Sequence, residues 1–147
     1  MIGPLMEQPR YNMLCRHKVE KEFSLVYEHY RLGLTVYSLL KTGILTGKYN
    51  DKIPDDSRMA IATDSYTKAQ AKSYGDEKWR AEITQVRKLR PVADKLGCDQ
   101  AALAMAWVIK NPDVSTAITG ALRVTSYRRS QVVGCCAEVN GRNNEGD

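Results

Sequence analysis

The sequence predicts an α/β fold with a parallel sheet, on three observations. Its segments alternate as strand, helix, strand, long loop, helices, strand, the order that right-handed βαβ units produce. The run Leu34-Thr35-Val36-Tyr37 is largely apolar rather than alternating, as a strand covered by helices should be. The intervening segments place apolar residues at three- and four-residue steps, the period of a helix with one buried face.

The first element is a short buried strand over Leu5-Met6-Glu7-Gln8, ended by Pro9, whose missing N–H cannot join a ladder. Lys18 to Tyr30 reads as a helix, with Val19, Phe23, Val26, Tyr27 and Tyr30 on one face and Gly33 placed as its C-terminal cap. His17 and His29 flank it as surface or cap residues. The second strand, Leu34 to Ser38, empties into Tyr37-Ser38-Leu39-Leu40-Lys41-Thr42-Gly43-Ile44-Leu45-Thr46-Gly47-Lys48-Tyr49. Small residues there let backbone N–H groups approach a phosphate, and lysine adds a charge.

From Leu39 to Tyr74 the chain reads as irregular, with Asp51, Pro54, Asp55, Asp56 and Ser57 marking turns. A connection of that length points to a functional loop or a lid. Asp76 to Leu96 is helical through Ile83, Val86, Leu89, Val92 and Leu96, with Pro91 set to kink or divide it and Gly97 to end it. Asp99 is an N-cap for a helix from Gln100 to Lys110 that carries Leu103, Ala106, Trp107 and Val108. Asn111-Pro112-Asp113 is a turn, and Val114 to Thr119 is the third strand, closing on Gly120. Beyond Gly120 the pattern dissolves into Arg, Ser, Gly and Asn, the composition of a frayed tail. Three strands with helices on one side leave two unpaired edges and an uncovered face, so the sequence reads as a piece of something larger.

Bulk properties narrow the function. A chain of 147 residues suits one domain with a modest core. Its net charge of +5 is mild, and basic and acidic residues are interleaved. Only Tyr127-Arg128-Arg129 approaches the basic block that nucleic-acid binding would want, so a solvated surface is the better reading. No apolar run reaches the length of a membrane span, and no leader pattern is present. Cys15, Cys98, Cys135 and Cys136 include no C-x-x-C pair and suit the reduced thiols of a cytoplasmic protein. With His17 and His29 away from ligand spacing, zinc is not expected.

Gly43 to Lys48 is not a phosphate-binding P-loop. It has one residue too few between its glycines, and Tyr49 stands where a Ser or Thr would hold a magnesium ion. Spacing alone favours an ordinary connector. Taken singly, Gln8 is a strand-end polar group, Tyr37 a core aromatic, and Lys48 and Arg58 solvated charges. Tyr11 and Tyr49 have no Lys or His at motif spacing to lower their pKa, so no catalytic residue is assigned.

Several motifs together say more. Glu7-Gln8-Pro9-Arg10-Tyr11-Asn12-Met13, Gly33-Leu34-Thr35-Val36-Tyr37-Ser38, Thr42-Gly43-Ile44-Leu45-Thr46-Gly47-Lys48-Tyr49, Ile53-Pro54-Asp55-Asp56-Ser57-Arg58 and Ile118-Thr119-Gly120-Ala121 resemble, in order and spacing, the aldo-keto reductases. The branch they resemble is that of the voltage-gated potassium channel β-subunits and their microbial and fungal relatives. The likeness runs from Gly3 to about Arg123, making residues 1–123 a partial oxidoreductase domain and 124–147 a divergent, poorly ordered tail.

The resemblance implies the C-terminal part of a (β/α)8 TIM barrel, about strands six to eight with their helices, an incomplete barrel because the whole needs roughly 250 residues. It also implies NADP(H). Gln8 would hold the nicotinamide carboxamide, and Tyr37 would stack on the ring where the family often has Trp. Ser38, Leu39, Leu40, Lys41 and Thr42 would wrap the pyrophosphate, with Leu39 and Lys41 replacing the family's usual Pro and Ala. Lys48 and Arg58 match residues that reach the cofactor phosphates. Gly120 matches the glycine that meets the 2′-phosphate end, and Arg123 is the one residue after it that keeps the family pattern.

A complete relative would reduce an aldehyde or ketone by hydride transfer. Its catalytic Asp, Tyr, Lys and His lie on earlier strands, with no counterpart here. The resemblance therefore implies a cofactor-binding segment that is inactive alone, with a small carbonyl substrate only in the complete form. Two alternatives stand beside it: a non-enzymatic, channel-β-like partner that self-associates through exposed edges, and a truncated product with no function of its own. Folding entropy of about 1–2 kcal/mol per residue leads us to expect marginal stability or oligomerisation from a partial barrel.

Overall fold

The structure, a computed structural model, describes residues 3–120. Its centre is a parallel sheet of β1 (Met6–Glu7), β2 (Gly33–Val36) and β3 (Val114–Ala117) in the order β1-β2-β3, as the alternation of segments predicts. Met6 pairs with Gly33 and Leu34 with Val114; a register shift between Leu34 and Thr35 then brings Thr35 opposite Thr116.

Leu34 and Val36 point to one face and are fully buried there. They pack with Tyr11, Val19, Tyr27 and Leu39, and with Met105 and Val108 of α5 (Gln100–Ile109). A second cluster joins Ile44, Leu45 and Tyr49 to Met59, to Trp79, Ile83 and Val86 of α3 (Glu77–Arg87), and to Ala104 of α5. Leu40 packs against both clusters. The central position of α5 explains why it is apolar nearly all round, since each buried Leu, Met or Val contributes roughly 1.5–3 kcal/mol.

The caps follow the sequence closely. Asp99 accepts the Ala102 N–H at 2.8 Å and Asp76 accepts the Trp79 N–H at 2.7 Å. The Asn111 turn closes through its Oδ1, which accepts the Asp113 N–H at 2.9 Å. Pro91 divides the long helix, but upstream of itself: α3 ends at Arg87 and α4 spans Leu89–Lys95. A proline has no N–H for the carbonyl four residues back and its ring crowds that carbonyl, which here belongs to Arg87.

Four expectations are corrected. The first strand is not buried: Leu5 is 80% and Met6 48% exposed, because β1 is the edge of the described sheet. The helix read over Lys18–Tyr30 is a π-helical turn (Lys18–Glu22) followed by α1 (Ser24–Tyr30), with the break at Phe23. Its C-terminal residue in the left-handed region is Arg31, φ 49°, not Gly33. Gly33 instead opens β2, where a Cβ would lie 2.6 Å from the Ser115 hydroxyl on β3. Finally, the connection from Leu39 to Tyr74 contains a 3-10 segment (Lys41–Thr46) and α2 (Ser65–Lys72), whose N-cap Asp64 accepts the Thr67 N–H at 2.8 Å.

Among the described residues no helix is long and apolar enough to cross a membrane.

Candidate functional site

The site lies where β1 and β2 end and the chain turns into the 38–43 loop. Pairing between the two strands continues past their ends. Tyr37 N–H donates to the Pro9 carbonyl and Tyr11 N–H donates to the Tyr37 carbonyl, each at 3.2 Å. One residue on, the Asn12 side-chain amide donates to the Ser38 carbonyl at 2.9 Å. The chain after β1 thus holds the start of the loop by consecutive bonds.

The loop itself is tightly wound. Lys41 N–H donates to the Ser38 carbonyl at 3.0 Å and Gly43 N–H to the Leu40 carbonyl at 2.9 Å. Ser38, Lys41, Thr42 and Gly43 have φ of 62°, 46°, 56° and 95°. Glycine adopts that region freely, whereas a β-branched threonine does so at a cost, so Thr42 marks a strained backbone held in place by its surroundings.

Each residue expected from the sequence has a definite place. Gln8 is exposed at the end of β1. Tyr37, paired across the sheet with Arg10, is 39% exposed. Leu39 is buried and Leu40 half-buried, so their side chains serve the core. The Lys41 ammonium is taken up by an ion pair with Glu82 of α3.

Lys48 is exposed, with its ammonium 4.9 Å from the Tyr49 ring centroid. Its stem lies across Gly43, where a Cβ would come within 2.8 Å of Lys48 Cε. Lys48 also lines an open cleft of about 510 Å³ with Thr46, Asn50, Arg87, Arg90 and Gln100. Arg58 is exposed and pairs at 4.0 Å with Asp64, the cap of α2. The Asp64 carboxyl is held below its usual range, chiefly by the Thr67 N–H. Gly120 is exposed beyond β3, at the sheet end that Ile118 reaches by donating its N–H to the Val36 carbonyl at 2.8 Å. Arg123 lies outside the described residues.

The fold therefore sets the end of β1, Tyr37 and the loop backbone together at one end of the sheet, with Lys48 against Gly43. Arg58 joins them through α2: Tyr66 of that helix lies 5.1 Å from the Arg10 guanidinium, which is 5.9 Å from the Tyr37 ring centroid. Arg10, Asn12, Tyr66 and Glu82 are site residues that the sequence reading did not single out. Asn12 stands inside a motif that was recognised, but nothing in a periodic pattern marks a buried asparagine as a clamp.

Both tyrosines set aside as acids are interior. The Tyr11 hydroxyl donates to Glu20 at 2.8 Å and accepts from the Asn111 amide at 3.2 Å, and burial pushes its pKa up to about 12. Tyr49 is fully buried. What the arrangement offers is a flat aromatic face, a tightly turned backbone and nearby cations. That set suits a ligand that is aromatic at one end and phosphorylated at the other.

The model of the Aldo/keto reductase family matches residues 1–135. The probable voltage-gated potassium channel subunit beta of Arabidopsis thaliana is 48% identical over 131 residues, covering 88% of this chain and 38% of that protein. Its counterpart in Oryza sativa subsp. japonica is 46% identical over 124 residues, covering 84% of this chain and 36% of that one. Among solved structures, the glycerol dehydrogenase AKR11B4 from Gluconobacter oxydans superposes with a TM-score of 0.62 at 22% identity, over 88% of this chain and 36% of that chain. The chain spans a little over a third of the length of these relatives.

Proposed function

The chain belongs to the aldo/keto reductase family, and from that premise we propose that it is the C-terminal, cofactor-seating part of an NADP(H)-dependent barrel, about strands six to eight. The observation that carries this reading is the half-exposed Tyr37 ring standing directly before a loop of left-handed backbone that Lys48 borders at Gly43. The residues fit the cofactor: at Gly43 there is no Cβ to displace Lys48, and Tyr37 before the loop is exposed.

In this reading Tyr37 stacks on the nicotinamide and Gln8 holds its carboxamide. Ser38 to Thr42 wrap the pyrophosphate, Lys48 and Arg58 meet the phosphates, and Gly120 with Arg123 meets the 2′-phosphate end. Lys41 contributes backbone, since Glu82 engages its ammonium. When bound, the nicotinamide supplies the hydride that a complete relative delivers to an aldehyde or ketone. Tyr37 and Gln8 orient that ring; neither holds a proton for transfer. The chain alone is therefore inactive as a carbonyl reductase, and its cysteine pattern suits the cytoplasm.

The test is fluorescence titration of the purified chain with NADPH. Saturable quenching of Trp79 and Trp107 emission is expected, and an unquenched, non-saturating response would remove the reading. NADPH oxidation with an aldehyde should not exceed a buffer blank.

A second reading has its own observation. The outer edge of β1, with Leu5 and Met6 exposed, offers unpaired strand backbone for self-association, as an edge strand does. Light scattering separates the two, since a stable monomer would count against this interaction role.

A further inference from the structure

We propose that Asn12 is a positioning residue of the cofactor seat, fixing the peptide groups that start the 38–43 loop; the inference rests on the cofactor reading above. Asn12 is fully buried, and both ends of its amide are engaged. Nδ2 donates to the Ser38 carbonyl at 2.9 Å, and Oδ1 accepts the Leu14 N–H at 3.0 Å. A flipped amide would set oxygen against oxygen and N–H against N–H, so these partners allow one orientation only.

The amide has a rigid base. Asn12 and Cys15 close a tight turn, with Asn12 N–H donating to the Cys15 carbonyl at 3.3 Å and Cys15 N–H to the Asn12 carbonyl at 2.9 Å. Tyr11 N–H, one residue earlier, holds the Tyr37 carbonyl. Two consecutive residues thus pin two consecutive carbonyls.

That pinning sets the donors of the loop. The described chain has no cis peptide bonds, and in a trans peptide the N–H points opposite to the C=O. With the Ser38 carbonyl turned to Asn12, the Leu39 N–H is directed to the other side, away from Asn12. With the Tyr37 carbonyl turned toward the chain after β1, the Ser38 N–H is directed to the β3 side, where Gly120 lies. The φ of 62° at Ser38 is the twist that lets both hold at once. A phosphate then meets donors already in place, which lowers the ordering cost of binding. Asn12 touches no ligand; it acts through Ser38.

The experiment uses the whole chain, as wild type, Asn12→Ala and Asn12→Asp. Aspartate keeps the shape and the acceptor for Leu14 but loses the donor to Ser38. Dissociation constants are measured for NADPH and for adenosine 2′-monophosphate, which carries the adenosine and 2′-phosphate end of the cofactor but neither phosphate of the pyrophosphate. Loss of one hydrogen bond should raise the NADPH constant roughly five- to ten-fold in both variants, with the monophosphate constant within about two-fold of wild type. Equal weakening of both ligands means a merely structural role and overturns the inference, as does no change in either. Wild type binding neither ligand overturns this inference and the cofactor reading together. Should both variants fail to fold, wild type carries the test by NMR of the Asn12 side-chain amide. A shift on adding NADPH but not the monophosphate supports the role, and no shift with NADPH overturns it.

Discussion

Lys41 and Glu82 are joined in an ion pair whose two side chains are only 13% and 18% exposed. Lys41 sits in the loop with φ 46° and Glu82 on α3, so the pair ties the strained backbone to the helix layer. With so little water around it, removing one partner strands the other charge. Lys41→Ala and Glu82→Ala should each cost roughly 1–3 kcal/mol in urea denaturation, between the values of exposed and buried pairs. The double variant should cost clearly less than the sum of the singles; strict additivity would show that the contact contributes nothing.

Gly43 should not tolerate a side chain. At φ 95°, a Cβ would lie 2.8 Å from Lys48 Cε and 3.3 Å from Tyr49 Cε2. Gly43→Ala should destabilise the chain by about 1–2 kcal/mol, from backbone strain and a displaced lysine. Thr42→Gly, at φ 56° with no bulky requirement on the backbone, should be neutral or stabilising. Comparing the two melting midpoints decides whether the left-handed loop is a real constraint.

The phenols of Tyr11 and Tyr27 are each pushed up to about 12, by burial first of all. A raised folded-state value stabilises the fold below the ordinary 10.0 and loses that contribution as pH climbs to about 12. Absorbance at alkaline pH should show the late step, and Tyr11→Phe should remove part of it. The acid side has the opposite sign. Glu20 is held below its ordinary 4.5, chiefly by the Arg16 hydrogen bond. Its contribution is present above 4.5 and is lost as pH falls through the lowered value, so Glu20→Gln should flatten stability in that acid range.

Lys48 and Arg58 should favour the cofactor that carries a 2′-phosphate. Both are exposed, so their effect is screened and salt-dependent. Lys48→Ala with Arg58→Ala should weaken NADPH more than NADH at low ionic strength, and the gap should close in about 1 M salt. A loss equal for the two cofactors would remove these residues from phosphate recognition.

Where local chemistry decides structure, the sequence was readable. Asp76 and Asp99 cap because their carboxylates serve the orphan N–H groups of the first turn, and Leu34 and Val36 of β2 are apolar because that face packs on α5. The helix α2 escaped because only Thr67 of its residues is buried, leaving no apolar repeat to detect; its Asp64 cap was the available signal. The exposure of β1 was not readable either, since Leu5 and Met6 look like any buried strand until β1 is seen to lie at the edge of the described sheet. In the site, Tyr37, Lys48 and the loop were legible from motif order. The Asn12 and Glu82 contacts bridge 26 and 41 residues from their partners, and such long-range pairings leave no mark on periodicity.

Thermal melting of the full chain with and without NADPH tests the cofactor seat most directly. At a concentration near one hundred times the dissociation constant, binding should add about 2.7 kcal/mol and raise the midpoint by roughly 5–10 °C. An unchanged midpoint at millimolar NADPH would contradict the account.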